Sequence, residues 1–175
     1  MRQLAKLLVL PIIPLALAVC SDSTDVTPSN PSVSMLDECD PTTFNAALGA
    51  GTCARQGSVT FAQFNAQLAT HQSVNEWRFD PTALTIRVGQ SIRAMNAGGE
   101  LHTFTEVEDF GGGIVPTLNI ASGNPVEAPE CKQLAASAMV APGKAFATDA
   151  ATEVGTEHYQ CCIHPWMRAT VTVTQ

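Results

Sequence analysis

The stretch EHYQCCIHPWMRATVTVTQ, Glu157 to Gln175, places two cysteines side by side, then a histidine and a methionine at short fixed steps, and closes on a regular alternation. In RATVTVTQ the apolar and hydroxyl side chains take turns, the period of a strand with one buried face. EHYQC reads as a second strand, and Pro165 tightens the loop between the two. Neighbouring residues of an extended chain point to opposite faces. Cys161 therefore shares the inward face with Tyr159, and Cys162 turns the other way.

The same short β-rich grammar extends upstream. From Glu76 come WRF, then Pro81, ALTIRV, the turn Gly89-Gln90, SIRAMN and HTFTEV; AFATD follows much later. Ile86, Val88 and Ile92 alternate with Arg87 and Arg93, as expected of half-buried strands. Phe110 to Pro142 is a long Gly- and Pro-rich connection with weak periodicity, carrying Gly111-Gly112-Gly113 and Cys131. Many short strands separated by turns predict an all-β sandwich or barrel.

Ahead of these strands the pattern differs. Thr60-x-x-Gln63 has the form of a capping box, and Phe61, Phe64 and Leu68 fall at helical spacing, which predicts one short helix. Leu36 to Gly57 is polar and turn-rich and holds Cys39 and Cys53. A disulfide closing this small loop is expected in an oxidising compartment. Residues 37–74 thus read as an N-terminal extension with a short helix and a disulfide.

Met1 to Val19 carries Arg2 and Lys6 ahead of LLVLPIIPLALAV, too short and proline-broken for a membrane span. It reads as a signal peptide (1–19). Ala16-Leu17-Ala18 fits a small-x-small cleavage site, while Leu17-Ala18-Val19-Cys20 resembles a bacterial lipobox, with Val19 departing from the usual small residue. Lipidation of Cys20 is the preferred reading, because SDSTDVTPSNPSVS follows it like a flexible tether (20–36). Exported, periplasmic or cell-envelope location follows, with membrane attachment only through that lipid. The formal charge is −7, deepened by two once Arg2 and Lys6 are removed with the leader. No basic patch suits nucleic acid.

Cys161, His164 and Met167 form Cys-x2-His-x2-Met. Thiolate, imidazole and thioether are the soft, mixed donors that suit copper, and His102, opening HTFT after the Gly98-Gly99 turn, is the candidate second imidazole. WRFDPTALTIRVGQSIRAMNAGGELHTF, APGKAFATD and EHYQCCIHPWMRATVTV resemble the cupredoxins, and the ligand loop is most similar to that of amicyanin- and pseudoazurin-type proteins. The resemblance covers roughly 75–175 apart from the long connection. It implies a Greek-key sandwich holding one type 1 copper ion on His102, Cys161, His164 and Met167, with Met167 as a weak axial donor. It also implies a solvent-edge electron port at His164, flanked by Pro165 and Trp166 as an apolar docking patch for transient redox protein partners. An alternative buries Trp166 under the long connection. Ala169 in place of a common glycine, Thr103 in place of a common asparagine, and Cys162 depart from the pattern, and none removes a ligand. A dinuclear copper site needs Cys-x3-Cys, which adjacent cysteines do not supply.

With Cys20 lipidated and Cys161 a ligand, four cysteines remain. Cys39 to Cys53 with Cys131 to Cys162 is the proposed pairing, one of three connectivities. His71 reads as a helix-end residue and His158 as outward-facing, so neither is a ligand. No Ser/His/Asp or paired-carboxylate pattern points to catalysis. The expected function is a monomeric single-electron carrier of the cell envelope, with copper buffering or a metal-free structural lipoprotein as alternatives.

Overall fold

The computed structural model describes residues 30–175; the leader, Cys20 and most of the tether lie outside the described residues. Eight strands form two four-stranded sheets. The first is ordered β2 (Arg78–Asp80), β1 (Ser32–Leu36), β4 (Arg93–Asn96), β6 (Ala145–Ala147), and the second β3 (Ala83–Arg87), β8 (Arg168–Thr174), β7 (Gly155–Gln160), β5 (Thr105–Val107). Both sheets are mixed: β1 runs parallel to β4 and β3 parallel to β8, with the remaining pairs antiparallel. This is a β-sandwich.

The inward residues of the two sheets meet in one core. Val33, Met35, Phe79 and Ala94 come from the first sheet, and Ile86, Tyr159, Ala169, Val171 and Val173 from the second. In β8 the buried positions fall on every second residue, as the alternation of its sequence requires. β7 departs from that rule at its end, where Tyr159 and Gln160 are both buried. Its outer face is covered by the long connection, whose Gly111 N–H donates to Gln160 Oε1 at 2.9 Å. Val88 also departs from the expected alternation. β3 ends at Arg87, and Val88 is exposed while its N–H donates to the Thr174 carbonyl.

The tether read over 20–36 is corrected at its C-terminal end. Ser32–Leu36 is β1, an interior strand with Val33 and Met35 buried in the core. The alternation in SVSML is only five residues long and follows a polar run, so it was hidden in the tether's composition.

Two helices, not one, lie between β1 and β2. α1 (Pro41–Leu48) falls inside the segment read as turns, capped by the Asp40 carboxylate, which accepts from the Thr42 and Thr43 N–H groups. Asp followed by Pro is the signal for it: a capping acceptor, then a residue that needs no N–H partner in the first turn. α2 (Phe61–His71) begins with the reciprocal Thr60–Gln63 capping box, and it buries Phe64 and Leu68. Phe44 of α1 packs edge-on against Phe61 and Phe64.

The long connection holds two short helices, α3 (Pro116–Ala121) and α4 (Pro129–Lys132), each with proline in its first turn. They are too short to show a helical period. Cys131 and Cys162 are bridged, and together with Val107 and Ala128 they form a small second core outside the second sheet. Gly113 lies so close to the Cys162 carbonyl that any Cβ there would collide with it.

Candidate metal centre

The loop between β7 and β8 is closed by its own backbone. The Cys161 N–H donates to the Met167 carbonyl at 3.0 Å, and the Met167 N–H to the His164 carbonyl at 2.9 Å. Arg168 Nε donates to the Pro165 carbonyl at 2.9 Å. His102 enters from the opposite direction, its backbone paired with Val140, while the Asn96 amide donates to the Glu100 and Val140 carbonyls at 2.7 Å each.

These two segments bring His102, Cys161 and His164 together. Cys161 is the single free thiol among the described residues, and Cys39 is bridged to Cys53. The Cys161 sulfur lies 3.8 Å from His102 Nδ1 and 3.7 Å from His164 Nδ1. Metal–nitrogen bonds of about 2.0 Å and a metal–sulfur bond of about 2.3 Å at roughly 120° require a nitrogen–sulfur separation of about 3.7 Å. The donor set fits a shared metal ion. Met167 is buried at the end of the same loop. His71 is exposed at the end of α2, and His158 sits apart, with its Nδ1 3.2 Å from the Glu108 carbonyl.

Cys161 and Cys162 serve opposite sides of the chain, one facing the histidines and the other bridged to Cys131. Thr103 ties the two ligand segments. Its N–H donates to the Cys161 sulfur at 3.5 Å, and its hydroxyl accepts from the Cys162 N–H at 2.8 Å.

Two carboxylates back the histidines, and sequence reasoning missed both. Asp37 Oδ2 is 2.8 Å from His102 Nε2, and Glu100 Oε2 is 3.5 Å from His164 Nε2. Trp77 Nε1 donates to the same Glu100 oxygen at 2.7 Å. Asp37 is 65 residues from His102, so no local motif signals the pair.

The charges follow from these contacts. Burial pushes the Cys161 thiol up, but hydrogen bonds and charge from His102 and His164 prevail and hold it well below the usual thiol value. Burial disfavours the His164 imidazolium, yet Cys161 and Glu100 raise it to about 10. His102 is raised against its own burial by Asp37 and Cys161. Burial pushes Asp37 up as well, and His102 with the Glu100 and Gly99 N–H groups brings it down to about 2. Thiol and imidazoles thus shift in opposite directions, Cys161 toward thiolate and the two histidines toward imidazolium, each favouring the charged form of the other.

The solvent-edge port is corrected. His164 is 3% exposed and Pro165 is buried, so neither presents a docking surface. The covering comes from the segment before β2. Trp77 lies 6.5 Å from the His164 ring and Phe64 lies 6.0 Å from Trp166, measured between ring centroids. Trp166 is half-buried, packed on His164 at 5.5 Å, and it lines a hollow with Val74, Asn75 and Arg78.

No protein-family profile matches the chain, and no curated protein matches it. Solved cupredoxins are similar to it. A purple cupredoxin from Nitrosopumilus maritimus shares 16% identity at a TM-score of 0.46, covering 83% of this chain and 100% of its own. A single-site variant of amicyanin in its Cu(I) form shares 22% at 0.37, covering 55% of this chain and 73% of its own. Oxidised plastocyanin from Dryopteris crassirhizoma shares 16% at 0.41, covering 82% and 99%. The donor geometry, not these likenesses, carries the reading of the site.

Proposed function

We propose that the chain is an exported type 1 copper protein that carries single electrons between redox partners of the cell envelope. One observation carries this reading: a free, buried cysteine holds two imidazole Nδ1 atoms at 3.7–3.8 Å, the separation a shared metal ion requires. His102, Cys161 and His164 would hold the ion, and Met167, buried at the end of the same loop, would offer a further thioether donor, a soft mixed set of the kind that suits copper. When bound, copper supplies one-electron chemistry. The protein's part is to keep the donors fixed and dry, so that little reorganises when the electron arrives. The loop's internal hydrogen bonds serve that rigidity. Residues 37–74 act as a disulfide-tied helical cover on the sandwich domain. Export fits the two disulfides, and a lipidated Cys20 would tether the domain to the envelope; among the described residues no helix is long and apolar enough to cross a membrane.

A second reading, copper holding for delivery, is favoured by the burial of His164, because a covered edge lengthens the path to a partner. The electron self-exchange rate separates the two: fast exchange supports the carrier and negligible exchange the store. The primary test is a Cu(II) titration of the chain lacking its first 20 residues, beside Cys161→Ser. One equivalent should give an intense thiolate-to-copper absorption and narrow hyperfine splitting, both lost in the variant. A colourless protein would overturn the reading.

A further inference from the structure

Each histidine has a carboxylate behind its Nε2 edge, Asp37 at 2.8 Å from His102 and Glu100 at 3.5 Å from His164. We infer that Asp37 and Glu100 are positioning residues of the metal centre, each taking the Nε2 edge of one imidazole so that Nδ1 faces Cys161, and together favouring the more highly charged state of a bound ion. This rests on the copper reading above and adds to it a function for the segment around β1, α1 and α2.

The contacts at Asp37 are too many for chance. Besides His102 Nε2, its oxygens accept from the Gly99 N–H at 2.8 and 2.9 Å, the Glu100 N–H at 2.9 Å and the Cys39 N–H at 3.2 Å. A buried carboxylate without such partners is costly, and here both oxygens have at least two. The opposing loop is shaped to admit it. A Cβ at Gly98 would collide with the Asp37 carboxylate, and one at Gly99 would press on the Cys39 sulfur. The Cys39–Cys53 bridge begins two residues after Asp37, and the Ala54 N–H donates to the Gly99 carbonyl at 2.8 Å, so both sides of the contact are anchored.

Glu100 is held differently. Trp77 Nε1 fixes the oxygen that faces His164, and Trp77 itself is buried against Phe44 of α1 and Phe64 of α2. The N-terminal segment therefore supplies one carboxylate directly and braces the other.

A carboxylate on the far nitrogen of a metal-bound imidazole fixes its tautomer and makes it a stronger donor. In a site of low local dielectric, its negative charge also favours the ion of higher charge. Two such carboxylates beside one thiolate bias the centre toward Cu(II). Neutral partners at the same positions would release that bias.

The test compares copper-loaded wild type with Asp37→Asn and Glu100→Gln, reading the Cu(II)/Cu(I) ratio against applied potential and the imidazole N–H signals by 15N NMR of the Cu(I) form. Each variant should keep the thiolate absorption at one equivalent and shift the ratio at least tenfold toward Cu(I), about 59 mV for one electron. The wild type should show both imidazole protons on Nε2. A shift below twofold, or protons on Nδ1, overturns the inference while the copper reading stands. Failure of the wild type to bind copper overturns both. Should Asp37→Asn not fold, Glu100→Gln decides by the same criterion, because its amide oxygen still accepts from Trp77. A purely structural role would lower stability and leave the ratio unmoved.

Discussion

Phe64 and Trp166 stand with ring centroids 6.0 Å apart, and this contact lays α2 over the ligand loop. Phe64 also meets Trp77 at 4.9 Å, so one side chain closes the space above His164 from two directions. Phe64→Ala should open it. Loss of a buried phenylalanine costs about 3–5 kcal/mol, read as a lowered denaturant midpoint. In the folded copper-loaded variant, electron self-exchange should rise above that of wild type. An unchanged exchange rate would show that electrons leave by a route that avoids this face.

How much of this was legible in the sequence depends on the range of each signal. Ala169, Val171 and Val173 mark β8 by period alone, and Thr60 with Gln63 marks the start of α2 by a contact three residues long. Cys161, His164 and Met167 announce a site because they share one loop. Asp37 and Glu100 could not be read in this way. Their roles exist only once β1 lies beside β4 and the Gly98-Gly99 turn folds over Asp37. The covered His164 edge was missed for the same reason, since it depends on where α2 packs and not on any residue of the loop.

Met167 offers a test within the loop. Met167→Leu roughly conserves volume, so the buried site should fold with a cost below about 1.5 kcal/mol. Removing the thioether takes a donor from the ion, and loss of donation disfavours Cu(II) more than Cu(I). The variant should retain the thiolate absorption and show a higher reduction potential by voltammetry. An unchanged potential would mean that Met167 only packs.

The bridge at Cys162 should be separable from the metal centre, because its sulfur points away from the histidines. Cys131 and Cys162 are 31 residues apart. Closing a loop of that length stabilises by about 3–4 kcal/mol in the chain-entropy account. The double variant Cys131→Ala with Cys162→Ala should lose about that much in urea unfolding and still bind one copper with its thiolate absorption. Loss of colour in a folded double variant would show that the bridge shapes the ligand loop as well as holding the connection against β7.

The protonation of the bare centre sets the pH dependence of metal uptake. Cys161 is held well below the ordinary thiol value by His102 and His164, so the imidazoles dominate the proton release on binding. His164 holds its proton up to a pH of about 10, and His102 is raised above its ordinary value as well. Each must lose its Nδ1 proton before it can bind a metal. Protons therefore compete from about pH 10 downward, first at one imidazole and then at both, and affinity falls as pH falls. At about pH 6, calorimetry in buffers of different ionisation enthalpy should report close to two protons released per copper. Release of one proton would mean that one metal-free imidazole is already neutral, and release of none that both are, held by the carboxylates at their Nε2 edges as acceptors and not as ion pairs.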